Sequence, residues 1–165
     1  MAEALLRAHL GSLGADASVR SAGTMAWDRP PLVETVTVMR EMGLDVSQHR
    51  PQQLTTELLD QADVVLGMTR DHLGRAINLA PDAADRAFLV AEFVRLGERT
   101  EPRRNGESVR GWVGRVAAAR SQRPVPGRAA DEITDPLGEP LEVYRATAAR
   151  LDAELRQVAR ILSSS

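Results

Sequence analysis

The sequence predicts a parallel α/β fold, and three observations carry that reading. Residues 63–68 read Asp-Val-Val-Leu-Gly-Met, a near-continuous apolar run of the kind covered on both faces of a parallel sheet. Leu5, Leu6, Leu10 and Leu13 recur at helical spacing near one end of the chain. Val143, Ala148, Leu151, Leu155, Val158 and Leu162 do so near the other. Between them, short apolar runs alternate with helical stretches, the pattern of strands joined by crossover helices within one chain of 165 residues.

The first thirteen residues form a helix ended by Gly11 and Gly14. It starts without a capping side chain, and its α-amino charge sits at the positive end of the helix dipole. Residues 17–22 make a short strand closed by Gly23-Thr24. Pro30 and Pro31 open a second helix through Val33, Val36 and Met39, with Gly43 beyond its last turn. A loop holding Ser47, His49, Arg50 and Pro51 leads to a brief helix over 56–60. After the apolar strand, Thr69 caps a helix over 70–79 that Pro81 stops. Residues 87–90 read as a third strand, 131–140 as loop, and 141–162 as the closing helix.

Composition narrows the function. With 43% hydrophobic and 27% charged residues and a net charge of −2, the chain reads as globular. No global positive field recruits nucleic acid or an anionic membrane, so neither is expected as a partner. All 21 basic residues are Arg, which reads as a compositional bias rather than chemistry. Cysteine is absent, which excludes disulfides, thiolate metal sites and a thiol nucleophile within this chain. No apolar run reaches the ~18 residues of a membrane span, and Met1-Ala-Glu lacks the basic start of a signal peptide, so a cytoplasmic location is expected. Residues 95–128 carry nine Arg against three Glu, with five Gly and three Pro. They read as a solvated, partly flexible insert in a single domain spanning 1–165, with a helix over 108–119 bearing Val109, Trp112, Val113 and Val116.

Parallel α/β folds hold ligands beyond the carboxyl ends of their strands. The polar residues near those positions are Ser21, Ser47, His49, Asp71, His72 and Asp135. A Ser–His–Asp triad lacks the Gly-x-Ser-x-Gly turn that would present its serine. His49, His72 and Asp71 sit on separate elements, which favours structural or solvent-facing histidines over metal ligands. No Gly-rich phosphate loop of common spacing is present.

Several segments, in order, carry a resemblance. They are Met-Ala-Glu-Ala-Leu-Leu-Arg-Ala-His-Leu from Met1, Ser-Ala-Gly-Thr from Ser21 with Trp27, Gly-Leu-Asp-Val-Ser from Gly43, and His49-Arg50 with Gln53-Leu54. Ala-Asp-Val-Val-Leu-Gly-Met-Thr-Arg-Asp-His from Ala62 and Asp135-Pro136 ahead of Tyr144 follow. Together they resemble the low-molecular-weight protein tyrosine phosphatases, and residues 95–128 resemble the longer insert of actinobacterial members. The resemblance implies a three-layer α/β/α fold with sheet order 2-1-3-4. The family's first strand and its Cys-x5-Arg loop are missing ahead of Met1, an internal Met taken as the start being the simplest account.

By the same resemblance, Asp135 is the general acid that protonates the leaving phenolate and then activates water. Pro136 fixes the backbone beside it, Trp27 is an aromatic wall of the substrate cleft, and Ser21 supports the catalytic loop. Leu137 stands where many members carry an aromatic residue. The implied substrate is a phosphotyrosine protein or small aryl phosphate, hydrolysed without metal or organic cofactor. The implied activity belongs to the complete gene product, and the chain itself is expected to be inactive. The alternatives are a non-catalytic pseudophosphatase or binding module and, less favoured, an arsenate reductase. The loop after residue 68 carries no thiol for the relay form of that reductase.

Overall fold

The computed structural model describes residues 1–25, 29–120 and 129–164. Two strands lie at its centre, β1 (Val65–Gly67) and β2 (Ala87–Leu89). They pair in parallel, with Val65 opposite Ala87, Leu66 opposite Phe88 and Gly67 opposite Leu89. The helix Arg70–Leu79 and the 3-10 turn Pro81–Arg86 make the crossover between them.

The side-chain alternation of a strand explains why β2 is apolar throughout. Ala87 and Leu89 pack with Leu73 on the crossover side. Phe88 turns the other way, into the principal core with Leu5, Leu10, Phe93, Val113 and Leu155. Helices therefore cover both faces. They are α1 (Ala2–Ser12), α2 (Val33–Glu41), α3 (Thr56–Gln61), α4 (Arg70–Leu79), α5 (Val90–Gly97), α6 (Val109–Ala118) and α7 (Leu141–Ser163).

Local chemistry accounts for most boundaries. The Thr69 hydroxyl accepts from the His72 amide at 3.3 Å and starts α4, and the Thr55 hydroxyl accepts from Leu58 at 3.3 Å and starts α3. Gly43, at φ +78°, takes the left-handed turn that follows α2. Met1 packs against Val38, Tyr144 and Ala148, while His9 reaches Asp152 at 2.8 Å. Helices α1 and α7 thus run in the same direction, N-terminus beside N-terminus. Among the described residues no helix is long and apolar enough to cross a membrane.

Three expectations are corrected. Residues 17–22 form no strand, and an isolated parallel bridge between Gly23 and Gln53 follows them. Side chains of α1 take the segment's backbone groups instead: Arg7 donates to the Val19 carbonyl at 2.9 Å, and the Ser21 amide donates to Glu3 at 2.9 Å. The strand over 87–90 ends at Leu89, because Val90 opens α5, a helix the sequence reading missed. Glu92 accepts from the Leu89 amide at 3.3 Å and fixes that start.

The third correction concerns the Arg-rich stretch. Its helix, α6, buries Trp112, Val113 and Val116 in the same core as Leu5 and Leu155 rather than riding on the surface. Phe88, Phe93 and Trp112 meet edge to face at centroid distances of 5.2 and 6.1 Å. Residues 121–128 of the expected insert, and Trp27, lie outside the described residues.

Candidate active site

Asp135 sits in the irregular stretch between the 3-10 turn Ala129–Asp131 and α7. Its carboxylate oxygen accepts from the Leu137 amide at 3.0 Å, an Asx turn that needs no distant partner. Pro136 behind it is buried, and the Asp135 side chain itself is exposed to solvent. Two residues earlier, the Ile133 amide donates to the Met68 carbonyl at 2.8 Å. That bond ties the loop to the carboxyl end of β1, the end where parallel sheets place ligands.

The N-terminus of α1 lies at this same end, because α1 runs alongside α7 and α7 follows the Asp135 loop. No side chain caps α1. Its first amides and dipole therefore present partial positive charge there, an arrangement suited to an anion. Burial pushes the Met1 α-amino group below its ordinary value, with Glu3 pulling the other way.

Ser21 joins α1 to the following segment. Both its amide and its hydroxyl donate to Glu3 Oε2, Arg7 also donates to Glu3, and His49 Nδ1 stands 3.9 Å from the same carboxylate. Burial alone would raise the Glu3 carboxyl, but hydrogen bonds from Ser21 and Arg7 outweigh it and hold the group below the usual range. Gln52 Nε2 donates to the Ser21 carbonyl at 2.9 Å, so the loop after His49 is drawn onto the same segment.

The other polar residues singled out from the sequence go elsewhere. Asp71 pairs with Arg75 at 2.8 Å on the outside of α4, and His72 is exposed. The Ser47 amide closes a turn on Asp45 at 2.9 Å. Among the described residues no three His, Asp or Glu side chains are grouped to hold a metal ion. Ser21 and Asp135 share no hydrogen bond, and Leu137 is 53% exposed beside Asp135.

Two residues of this region escaped sequence reasoning. Glu3 lies off the apolar stripe of α1, and only its i,i+4 relation to Arg7 marked it as an acceptor. Glu132 Oε1 accepts from both the amide and Nε of Arg70, at 3.0 and 2.8 Å. The Arg70 bonds hold the Glu132 carboxyl below the usual range. Nothing local in the sequence connects residues 62 positions apart.

Comparison with known proteins identifies the family and the fold. The family model described as low molecular weight phosphotyrosine protein phosphatase matches residues 1–108. The chain is 29% identical over 147 residues to a protein-arginine-phosphatase of Geobacillus stearothermophilus, covering 88% of this chain and 77% of that protein. The crystal structure of a low molecular weight protein tyrosine phosphatase from T. tengcongensis superposes with a TM-score of 0.71 at 30% identity, covering 96% of this chain and 87% of that one. The solution structure of a Bacillus subtilis member gives 0.70 at 25% identity, covering 98% and 86%. The chain belongs to the low molecular weight phosphotyrosine protein phosphatase family, and it contains no cysteine.

Proposed function

We propose that this chain supplies the general acid, the cleft walls and the helical frame of a cytoplasmic phosphatase acting on phosphotyrosine proteins or small aryl phosphates. The observation that carries the proposal is the placement of Asp135, exposed in a short turn two residues after Ile133, whose amide is bonded to the carboxyl end of β1. In this reading a cysteine thiolate that this chain does not itself contain attacks phosphorus and the P–O bond to the phenol breaks. Asp135 gives its proton to the departing oxygen. The resulting carboxylate then takes a proton from the water that hydrolyses the phosphocysteine. Ser21 steadies the segment beside the loop. The 165-residue chain, without a thiol, turns over no aryl phosphate by itself.

A second reading keeps the mechanism and changes the leaving group to a guanidine nitrogen. Leu137 favours it, since an exposed aliphatic side chain replaces one aromatic wall beside Asp135, as does the named activity of the Geobacillus relative. The test joins a relative's first strand and Cys-to-Arg loop ahead of Met1 and assays phosphotyrosine and phosphoarginine peptides side by side. Turnover that falls with Asp135→Asn supports the proposal, and the preferred peptide decides between the two readings. A folded fusion without turnover on either peptide overturns both and leaves a non-catalytic binding module.

A further inference from the structure

We propose that Glu132 is a positioning residue for Asp135, acting through a clamp that joins the acid loop to both α4 and α7. The proposal rests on the reading of Asp135 as the general acid. Glu132 uses one carboxylate oxygen to accept from the Arg70 amide and the Arg70 guanidinium. Arg70 is the first residue of α4, so its amide is one of the donors a helix leaves unpaired at its start. Thr69 satisfies the His72 amide, and Glu132 satisfies the amide of Arg70, so the two share the first turn.

The main chain of the loop is held from the opposite side. Arg150 of α7 donates to the Glu132 carbonyl at 2.9 Å and to the Ala130 carbonyl at 3.2 Å. Arg95 of α5 donates through both terminal nitrogens to Asp131, each at 3.1 Å. The buried Ile133 then bonds to Met68. Every residue from 130 to 133 is anchored, and Asp135 follows two residues later with Pro136 restricting the backbone before it. Among these contacts, the Glu132–Arg70 pair is the one that sets the loop against the first turn of α4, beyond the carboxyl end of β1.

The chemistry separates positioning from plain stabilisation. Side-chain exposures are 28% for Glu132 and 44% for Arg70, and pairs this open to water contribute little to global stability. Their effect should therefore be local, on where the loop sits rather than on whether the chain folds.

The test begins with the full chain as it stands. Amide hydrogen exchange is read at Arg70 and Ile133 against Leu151 and Leu155 in the middle of α7. Glu132→Ala should speed exchange at the first two about tenfold or more and leave α7 unchanged, as expected for a local opening. The charge swap Arg70→Glu with Glu132→Arg should restore part of the protection at Ile133 but none at the residue-70 amide, because arginine offers that amide no acceptor. Unchanged exchange at Ile133, or equal acceleration throughout α7, overturns the clamp. In the loop-restored fusion, Glu132→Gln should lower kcat about tenfold on a phosphate ester with a poor leaving group while KM holds. A substrate whose phenolate departs without a proton should be spared. Equal losses on both substrates would overturn the positioning role. A fusion without any turnover would overturn the proposed function and the positioning of an acid with it, leaving exchange to decide the clamp alone.

Discussion

The guanidinium of Arg120 closes on Glu92, with Nε donating to Oε1 at 3.1 Å, while lying 4.1 Å from the centre of the Phe88 ring. Its other nitrogens donate to the carbonyls of Ala84 and Ala87. The second oxygen of Glu92 caps the start of α5. One side chain beyond the end of α6 thereby pins that helix onto β2 and α5. Glu92 is only 3% exposed, so removing its partner strands a buried carboxylate. Arg120→Met should destabilise the fold by ~3–5 kcal/mol. Adding Glu92→Gln should recover part of that loss. Denaturant unfolding of both variants decides it, and equal stability of the single and double variants would contradict the assignment.

Gly67 is required by packing rather than by backbone conformation. A Cβ placed there would lie 2.7 and 2.9 Å from Cδ2 and Cγ of Leu73, a fully buried residue. Gly67→Ala should cost ~1–3 kcal/mol through overpacking. Combining it with Leu73→Val should make the two effects non-additive in a thermal-unfolding cycle, because the smaller side chain frees the space. Strict additivity would show that the clash is relieved some other way.

Asp135→Asn keeps the oxygen that accepts from Leu137 and removes the proton donor. Stability should stay within ~0.5 kcal/mol of the parent, as for most exposed substitutions. In the loop-restored fusion the rate on phosphotyrosine should fall ~10²–10⁴-fold, and far less on a phosphate ester with a good leaving group. The basic limb of the pH–rate profile should disappear. An unchanged rate and profile would transfer the acid role to another carboxylate, with Asp131 next to be tried.

Glu107 predicts an acid-sensitive window. Hydrogen bonds from the Arg115 guanidinium and the Arg104 amide pull its carboxyl from 4.5 down to about 2. The folded value lies below the unfolded one, so the stabilisation is complete above pH 4.5 and fades as the pH falls toward 2. Urea midpoints across that window should fall more steeply for the parent than for Glu107→Gln. A constant gap between the two would place the interaction outside the folded state.

Helices α1, α4 and α7 were legible because their signals are local. Apolar spacing marks the buried stripe, and Thr69 and Pro81 set both ends of α4 by hydrogen bonding and sterics within a few residues. Helix α5 was not legible. Residues 87–91 run from strand to helix without a Gly, Pro or polar break, so a short apolar segment satisfies either periodicity until Glu92 caps the turn.

The sequence by itself determined the alternating α/β order, the absence of a thiol and the place of Asp135 in a turn ahead of the last helix. Those depend on neighbours along the chain. Tertiary structure alone decided that in residues 17–22 Ser21 donates to Glu3 and the Val19 carbonyl accepts from Arg7, instead of both pairing in a sheet. It also decided that Arg70, Arg95, Arg120 and Arg150 are committed to carboxylates and carbonyls rather than spread over a solvated surface. An arginine carries the same charge in either setting, and only the faces brought together by packing supply the acceptors that fix it.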